Sequence, residues 1–69
     1  MRYRQVEKRL KNLGCIELKS KRGSHRKWIN PKLGRGAPIP DWGTKDLKRG
    51  TLRAAVKQLG LEWDEFMAA

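Results

Sequence analysis

A chain of 69 residues has no room for a second domain, a paired βαβ nucleotide-binding unit or a deep substrate cleft, so any chemistry must use few groups on a shallow surface. The formal net charge of +10 is uneven: residues 1–36 carry twelve Lys/Arg against Glu7 and Glu17, whereas residues 37–69 carry five of each sign. That imbalance points to a polyanion partner; no apolar run approaches the ~20 residues a membrane span needs, which favours nucleic acid, with binding that weakens as salt rises.

In chain order, Tyr3, Val6, Leu10 and Leu13 step by three and four, the spacing of an amphipathic helix, with Arg2, Arg4, Lys8, Arg9 and Lys11 on its other sides. Gly14 is its natural stop. The N-terminal residues lack the apolar segment of a signal peptide, and Cys15 is alone, which excludes an internal disulfide and a Cys-rich metal site. A reducing, cytoplasmic setting is expected, with Cys15 as a buried thiol.

Ile16 and Leu18 alternate with Glu17 and Lys19 as a short strand, and residues 20–23 form a basic turn. Residues 24–30 read as a second strand with Trp28 and Ile29 as its β-formers. Its two faces carry Ser24, Arg26, Trp28 and Asn30 or His25, Lys27 and Ile29. Each face has one large apolar residue, so alternation leaves open which one meets the core.

Residues 31–36 have loop composition, and residues 37–41 are extended, with Pro38 and Pro40 confining them to a sheet edge. After a connection at 42–46, Leu52, Ala55, Val56 and Leu59 define a second amphipathic helix, with Gly50 or Thr51 as N-cap and Gly60 as stop. Residues 61–66 add an acidic turn whose Trp63 and Phe66 are expected to close the end of the core. The order α-β-β-β-α makes residues 1–69 one α+β domain, with helices on one face of a three-stranded antiparallel sheet.

The only histidine, His25, lies within Gly23-Ser24-His25-Arg26-Lys27-Trp28. Imidazole is the side chain whose ordinary pKa is nearest neutrality, and here it stands among cations able to hold phosphate. RNA carries its own nucleophile: a base that takes the 2′-hydroxyl proton lets that oxygen attack the adjacent phosphorus and displace the 5′-oxygen, without a metal. His25 is the candidate base; the plainer reading of the same residue is an exposed polar group that only touches RNA. Lys21, Arg22, Ser24, Arg26 and Lys27 are the candidate RNA contacts, the guanidiniums being suited to bidentate phosphate binding. Lys21, Lys27, Tyr3, water or the protonated imidazole itself are the candidates for returning a proton to the leaving oxygen. Trp28 reads as core, while Trp42, in a connection, is open between a base-stacking platform and a partner anchor. Asp41 and Asp46 lack a third ligand nearby, so neither a metal nor a cofactor is expected.

Gly23-Ser24-His25 on the second strand, Ile39-Pro40 on the third, Lys48-Arg49-Gly50-Thr51-Leu52-Arg53 opening the last helix, and Lys57-Gln58-Leu59-Gly60-Leu61 with Glu65-Phe66 resemble the HicA family of toxins. The resemblance runs from the first helix to Phe66. It implies a double-stranded-RNA-binding-domain-like fold and an mRNA interferase activity neutralised by a HicB antitoxin. It also assigns the catalytic role to His25. The chain departs from that pattern at Trp42, where the family's Pro-x-His places a second histidine, and at Glu62, where a capping Ser or Thr often stands. A non-catalytic RNA-binding module of the same fold is the alternative, since fold does not fix function.

Overall fold

The computed structural model describes residues 1–18 and 25–69. Helix α1 (Tyr3–Asn12) leads into β1 (Ile16–Leu18), then β2 (His25–Asn30) and β3 (Arg35–Pro40); α2 (Arg49–Gln58) and α3 (Trp63–Ala68) complete the chain. The strands form one antiparallel sheet in the order β1-β2-β3. This is the expected α+β arrangement. The expected turn at residues 20–23, and Ser24 at the head of the second strand, lie outside the described residues.

The register settles the question that alternation left open. Trp28 is opposite Glu17 on β1 and Ala37 on β3, and Trp28 and Ala37 are buried with the helices. Arg26, Trp28 and Asn30 therefore face α1 and α2, and His25, Lys27 and Ile29 face the other way. The core joins Tyr3, Val6 and Leu10 of α1 to Trp28, Ile39, Leu52, Val56, Leu59 and Phe66. Cys15 is buried too, and burial pushes its thiol pKa up.

Both helix stops fall where glycine was expected: Gly14 and Gly60 have φ of +87° and +77°. At Gly60 a Cβ would also press on the end of the exposed Leu33 side chain, which can move aside, so it is the backbone conformation that requires glycine. Helix α2 begins earlier than its sequence pattern predicts, at Arg49 with Lys48 as its N-cap, and no side chain caps it. Strand β3 likewise starts at Arg35 rather than residue 37, because pairing continues to Asn30 opposite Arg35. The acidic turn is a six-residue helix, and Phe66 within it is fully buried.

A polar chain runs through this apolar interior. The Trp28 Nε1–H donates to the Tyr3 hydroxyl at 3.0 Å, and that hydroxyl donates to Glu17. The Glu17 carboxylate, with only 12% of its side chain exposed, is also 3.5 Å from the Arg26 guanidinium. Arg26 in turn bonds Asp41 through Nε at 3.2 Å and lies over the Tyr3 ring. One relay thus ties α1, β1, β2 and the turn after β3. Burial, followed by the hydrogen bond to Glu17, holds the Tyr3 phenol well above the usual tyrosine range. Elsewhere Asn30 donates Nδ2–H to the Leu59 carbonyl at 2.8 Å, fastening β2 to the end of α2. Arg9 reaches the Met67 and Ala69 carbonyls at 2.6 and 3.1 Å, fastening α1 to α3.

Tyr3→Phe leaves the buried Trp28 N–H without an acceptor and should cost about 1–3 kcal/mol in a urea melt. Because the unfolded phenol ionises near pH ~10 and the folded one only above that, its contribution is complete below pH ~10 and is lost as pH rises towards the folded value. Tyr3 is the single tyrosine, so tyrosinate absorbance of the folded protein should lag that of the urea-unfolded protein, and coincident titrations would contradict the burial. Arg26→Gln leaves the Glu17 carboxylate without its cation. Partial exposure of Arg26 moderates the loss to about 1–3 kcal/mol, read as a lower denaturation midpoint.

Candidate nucleic-acid interface

The face of the sheet away from the helices is open. It carries Ile16 and Leu18 from β1, His25, Lys27 and Ile29 from β2, and Pro38 from β3. Ile16 and Leu18 are 54% and 43% exposed, unusually high for aliphatic strand residues. The alternation of β1 is thus inverted with respect to the core: its glutamate points in and its aliphatics point out.

His25 stands at the beginning of β2, exposed, with its Cα paired to that of Pro40 at the end of β3. Lys27 follows two residues later on the same face, also exposed. Strand alternation brings these two groups together as neighbours along one row, an imidazole beside an ammonium on a rigid support. Arg26 is not with them. Its side chain lies on the helix face, engaged by Glu17 and Asp41, so of the expected phosphate contacts on β2 the structure groups Lys27 with His25 and places Arg26 in the relay. Lys21, Arg22 and Ser24 lie outside the described residues. Tyr3, named as a proton donor from sequence, is buried on the opposite side of the sheet and already donates to Glu17.

Two features of the region around His25 were only partly read in the sequence, where Trp42 was already named as a base-stacking platform or a partner anchor. The first is the apolar character of the surface around it, contributed by Ile16, Leu18, Ile29 and Pro38. The signal was present in the Ile16-Glu17-Leu18 pattern, but identifying the inward residue required the partner of Glu17. The second is the turn that follows β3. Asp41 accepts the Gly43 N–H at 3.0 Å as well as bonding Arg26, and the Lys45 N–H donates to the Trp42 carbonyl at 3.1 Å. Trp42 is held within this turn, 37% exposed, and with Asp41 and Lys45 lines an open hollow of about 550 Å³. Asp41 thus has structural partners. Among the described residues no group of three His, Cys, Asp or Glu side chains is placed to hold a metal.

Another hollow, of about 580 Å³, is elsewhere, lined by Arg35, Arg53, Lys57 and Trp63 among others. Arg35 is opposite Asn30, the far end of β2 from His25 and about 17 Å away at the ~3.3 Å rise of a strand. Its side chain shares the helix face with Asn30, so this basic cleft and His25 occupy different ends and different faces of the sheet.

The cations of the first half also spread. Arg2 is exposed at the N-cap of α1 and Arg4, Lys8 and Lys11 along it, Lys27 is on the open sheet face and Lys32 is in the β2–β3 turn, while Arg9 and Arg26 are used internally. No helix is long and apolar enough to cross a membrane, among the described residues.

Comparison with known proteins gives one family. A model described as the HicA toxin of bacterial toxin–antitoxin systems matches residues 3–61. No curated protein and no solved structure gives a significant match. The matched span takes in α1, the whole sheet and α2, and with it every group on the open face, so the chain belongs to the HicA toxin family of bacterial toxin–antitoxin systems.

Proposed function

We propose that the protein is an endoribonuclease toxin that cleaves mRNA through His25 and is neutralised by a HicB-like antitoxin, acting in the cytoplasm without a cofactor. The observation that carries this reading is the pairing of His25 and Lys27 on one open, exposed face of the sheet. Membership of a toxin family supplies the biological context.

In this mechanism the RNA backbone crosses the open face with a phosphate against Lys27. The neutral His25 imidazole takes the proton from the adjacent 2′-hydroxyl. The 2′-oxygen forms its bond to phosphorus, the bond to the 5′-oxygen breaks, and a 2′,3′-cyclic phosphate and a 5′-hydroxyl end result. Lys27 offsets the negative charge that gathers on the non-bridging oxygens. With one histidine in the chain, the proton for the departing 5′-oxygen comes from the imidazolium just formed, from water, or from Lys27. Lys21, Arg22 and Ser24 extend the phosphate-binding row in this reading. Arg26, paired with Glu17 and Asp41, contributes to RNA binding in this reading only by holding the end of the strand. An antitoxin that covers His25 and complements the basic surface would silence the reaction.

The test is cleavage of a labelled single-stranded RNA in excess EDTA, with wild type and His25→Ala purified in parallel. Loss of general-base catalysis should lower the rate by at least ~100-fold while RNA binding persists. Equal cleavage by both proteins would remove His25 from the mechanism. Binding without cleavage by either would establish the RNA-binding-module alternative. In a salt titration of RNA affinity, Lys27→Gln should flatten the dependence on log[salt] by a slope of about one relative to wild type. An unchanged slope would place the phosphate elsewhere.

A further inference from the structure

We infer that Trp42 and Lys45 form a nucleobase-binding subsite beside His25, in which a base next to the scissile phosphate stacks on the indole. Such a subsite rests on RNA being the substrate, as proposed above, and would give the enzyme a preferred position on it.

The sheet bounds how far Trp42 can lie from the histidine. Pro40 is the Cα partner of His25, and Trp42 follows two residues later. Two residues span at most about 7 Å of chain and paired Cα atoms lie about 5 Å apart, which keeps the Trp42 Cα within about 12 Å of the His25 Cα. Its exposure sets it apart from the other two tryptophans. Trp28 is fully buried, and Trp63 is half-buried against Phe66 and Arg53. Trp42 alone stands exposed, in a protein whose core has sites for the other two. An indole left on the surface has apolar area to cover and a π-face to offer.

A stacking platform is effective when it is held in place before the base arrives. Asp41 is anchored by the Arg26 guanidinium on one oxygen and by the Gly43 N–H on the other, and the Trp42 carbonyl closes the turn by accepting from Lys45. Gly43 has a φ of +62°, the left-handed conformation this tight turn needs. The relay that holds Glu17 inside the protein therefore also fixes the turn that carries Trp42 outside it.

The charges around the indole suit a nucleotide. Asp41 is the one carboxylate lining the hollow among the described residues, and its ion pair with Arg26 blunts its repulsion of phosphate. Lys45 is exposed on the same hollow, and no carboxylate lies within ion-pair distance of it among the described residues. An aromatic face with an adjacent ammonium is the combination that binds single-stranded nucleic acid, the ring taking the base and the cation its phosphate.

The experiment uses the full chain carrying His25→Ala as parent, so that RNA stays intact, and measures anisotropy of a fluorescent single-stranded decamer. A parallel set of decamers each lacks one base at a different position. Adding Trp42→Ala should weaken binding of the intact decamer by about 5- to 150-fold, the range spanned when a base-stacking aromatic is truncated. Trp42→Phe should recover most of that loss. At one abasic position the parent and the Trp42→Ala variant should bind equally, because the base that the indole covers is then missing. Equal affinity of parent and Trp42→Ala for the intact decamer overturns the inference. So does a loss of the same size with every abasic decamer, because the indole would then act on something other than a base. A parent that binds no RNA at all overturns the proposed function as well, which distinguishes that failure from loss of the subsite alone. Thermal midpoints of both Trp42 variants, expected to match the parent, exclude a folding defect.

Discussion

The structure depends on the carboxylate of Glu17 being inside. An acidic side chain with 12% of its surface exposed is costly unless it is paired, and it is paired twice, by the Tyr3 hydroxyl and the Arg26 guanidinium. Those two partners come from α1 and β2, so the carboxylate is satisfied in one arrangement of helix and strands. Because a strand alternates with period two, fixing Glu17 inward fixes Ile16 and Leu18 outward. Pairing then fixes Trp28 inward and His25 and Lys27 outward. The orientation of the candidate site follows from an ion pair on the other side of the sheet.

This arrangement separates two uses of positive charge that the sequence runs together. Arg26 and Lys27 are adjacent, yet one closes an internal relay while the other stands in solvent on the open face. Arg9 similarly spends its guanidinium on carbonyls at the end of α3, where a cation also opposes the negative end of the helix dipole. The remaining cations surround the molecule on several sides. In the proposed function they would raise the local concentration of a polyanion, and Lys27 on the open face would meet its backbone there.

Much of this was legible in the sequence. The helical spacing of Tyr3, Val6 and Leu10 and of Leu52, Ala55, Val56 and Leu59 identified the buried residues of both long helices, and glycine marked both ends. Pro38 and Pro40 located the edge strand. The face that β2 turns to the core was not legible, because Trp28 and Ile29 balance each other until a partner strand is known. Nor was the inversion of β1: Ile16-Glu17-Leu18 in isolation reads as apolar-in, and only a hydroxyl from α1 and a guanidinium from β2 make the reverse favourable. The same long-range pairing moved Arg26 from the site to its support. Local pattern reports periodicity; which phase faces the core is a tertiary property over a segment as short as the described Ile16–Leu18.

The edges of the sheet constrain how any partner reaches His25. An edge strand invites another chain to pair with it, but β3 presents Pro38 and Pro40, which have no N–H to donate. Strand addition along β3 is therefore disfavoured, and the open face offers another approach. That face offers aliphatic surface from Ile16, Leu18 and Ile29 with an imidazole and an ammonium at one end. RNA has ribose and base surfaces for the first and phosphate for the second; a protein inhibitor would match the same pattern with apolar side chains and a carboxylate. In the proposed mechanism, substrate and inhibitor would compete for this one surface, because both need the same approach to the histidine.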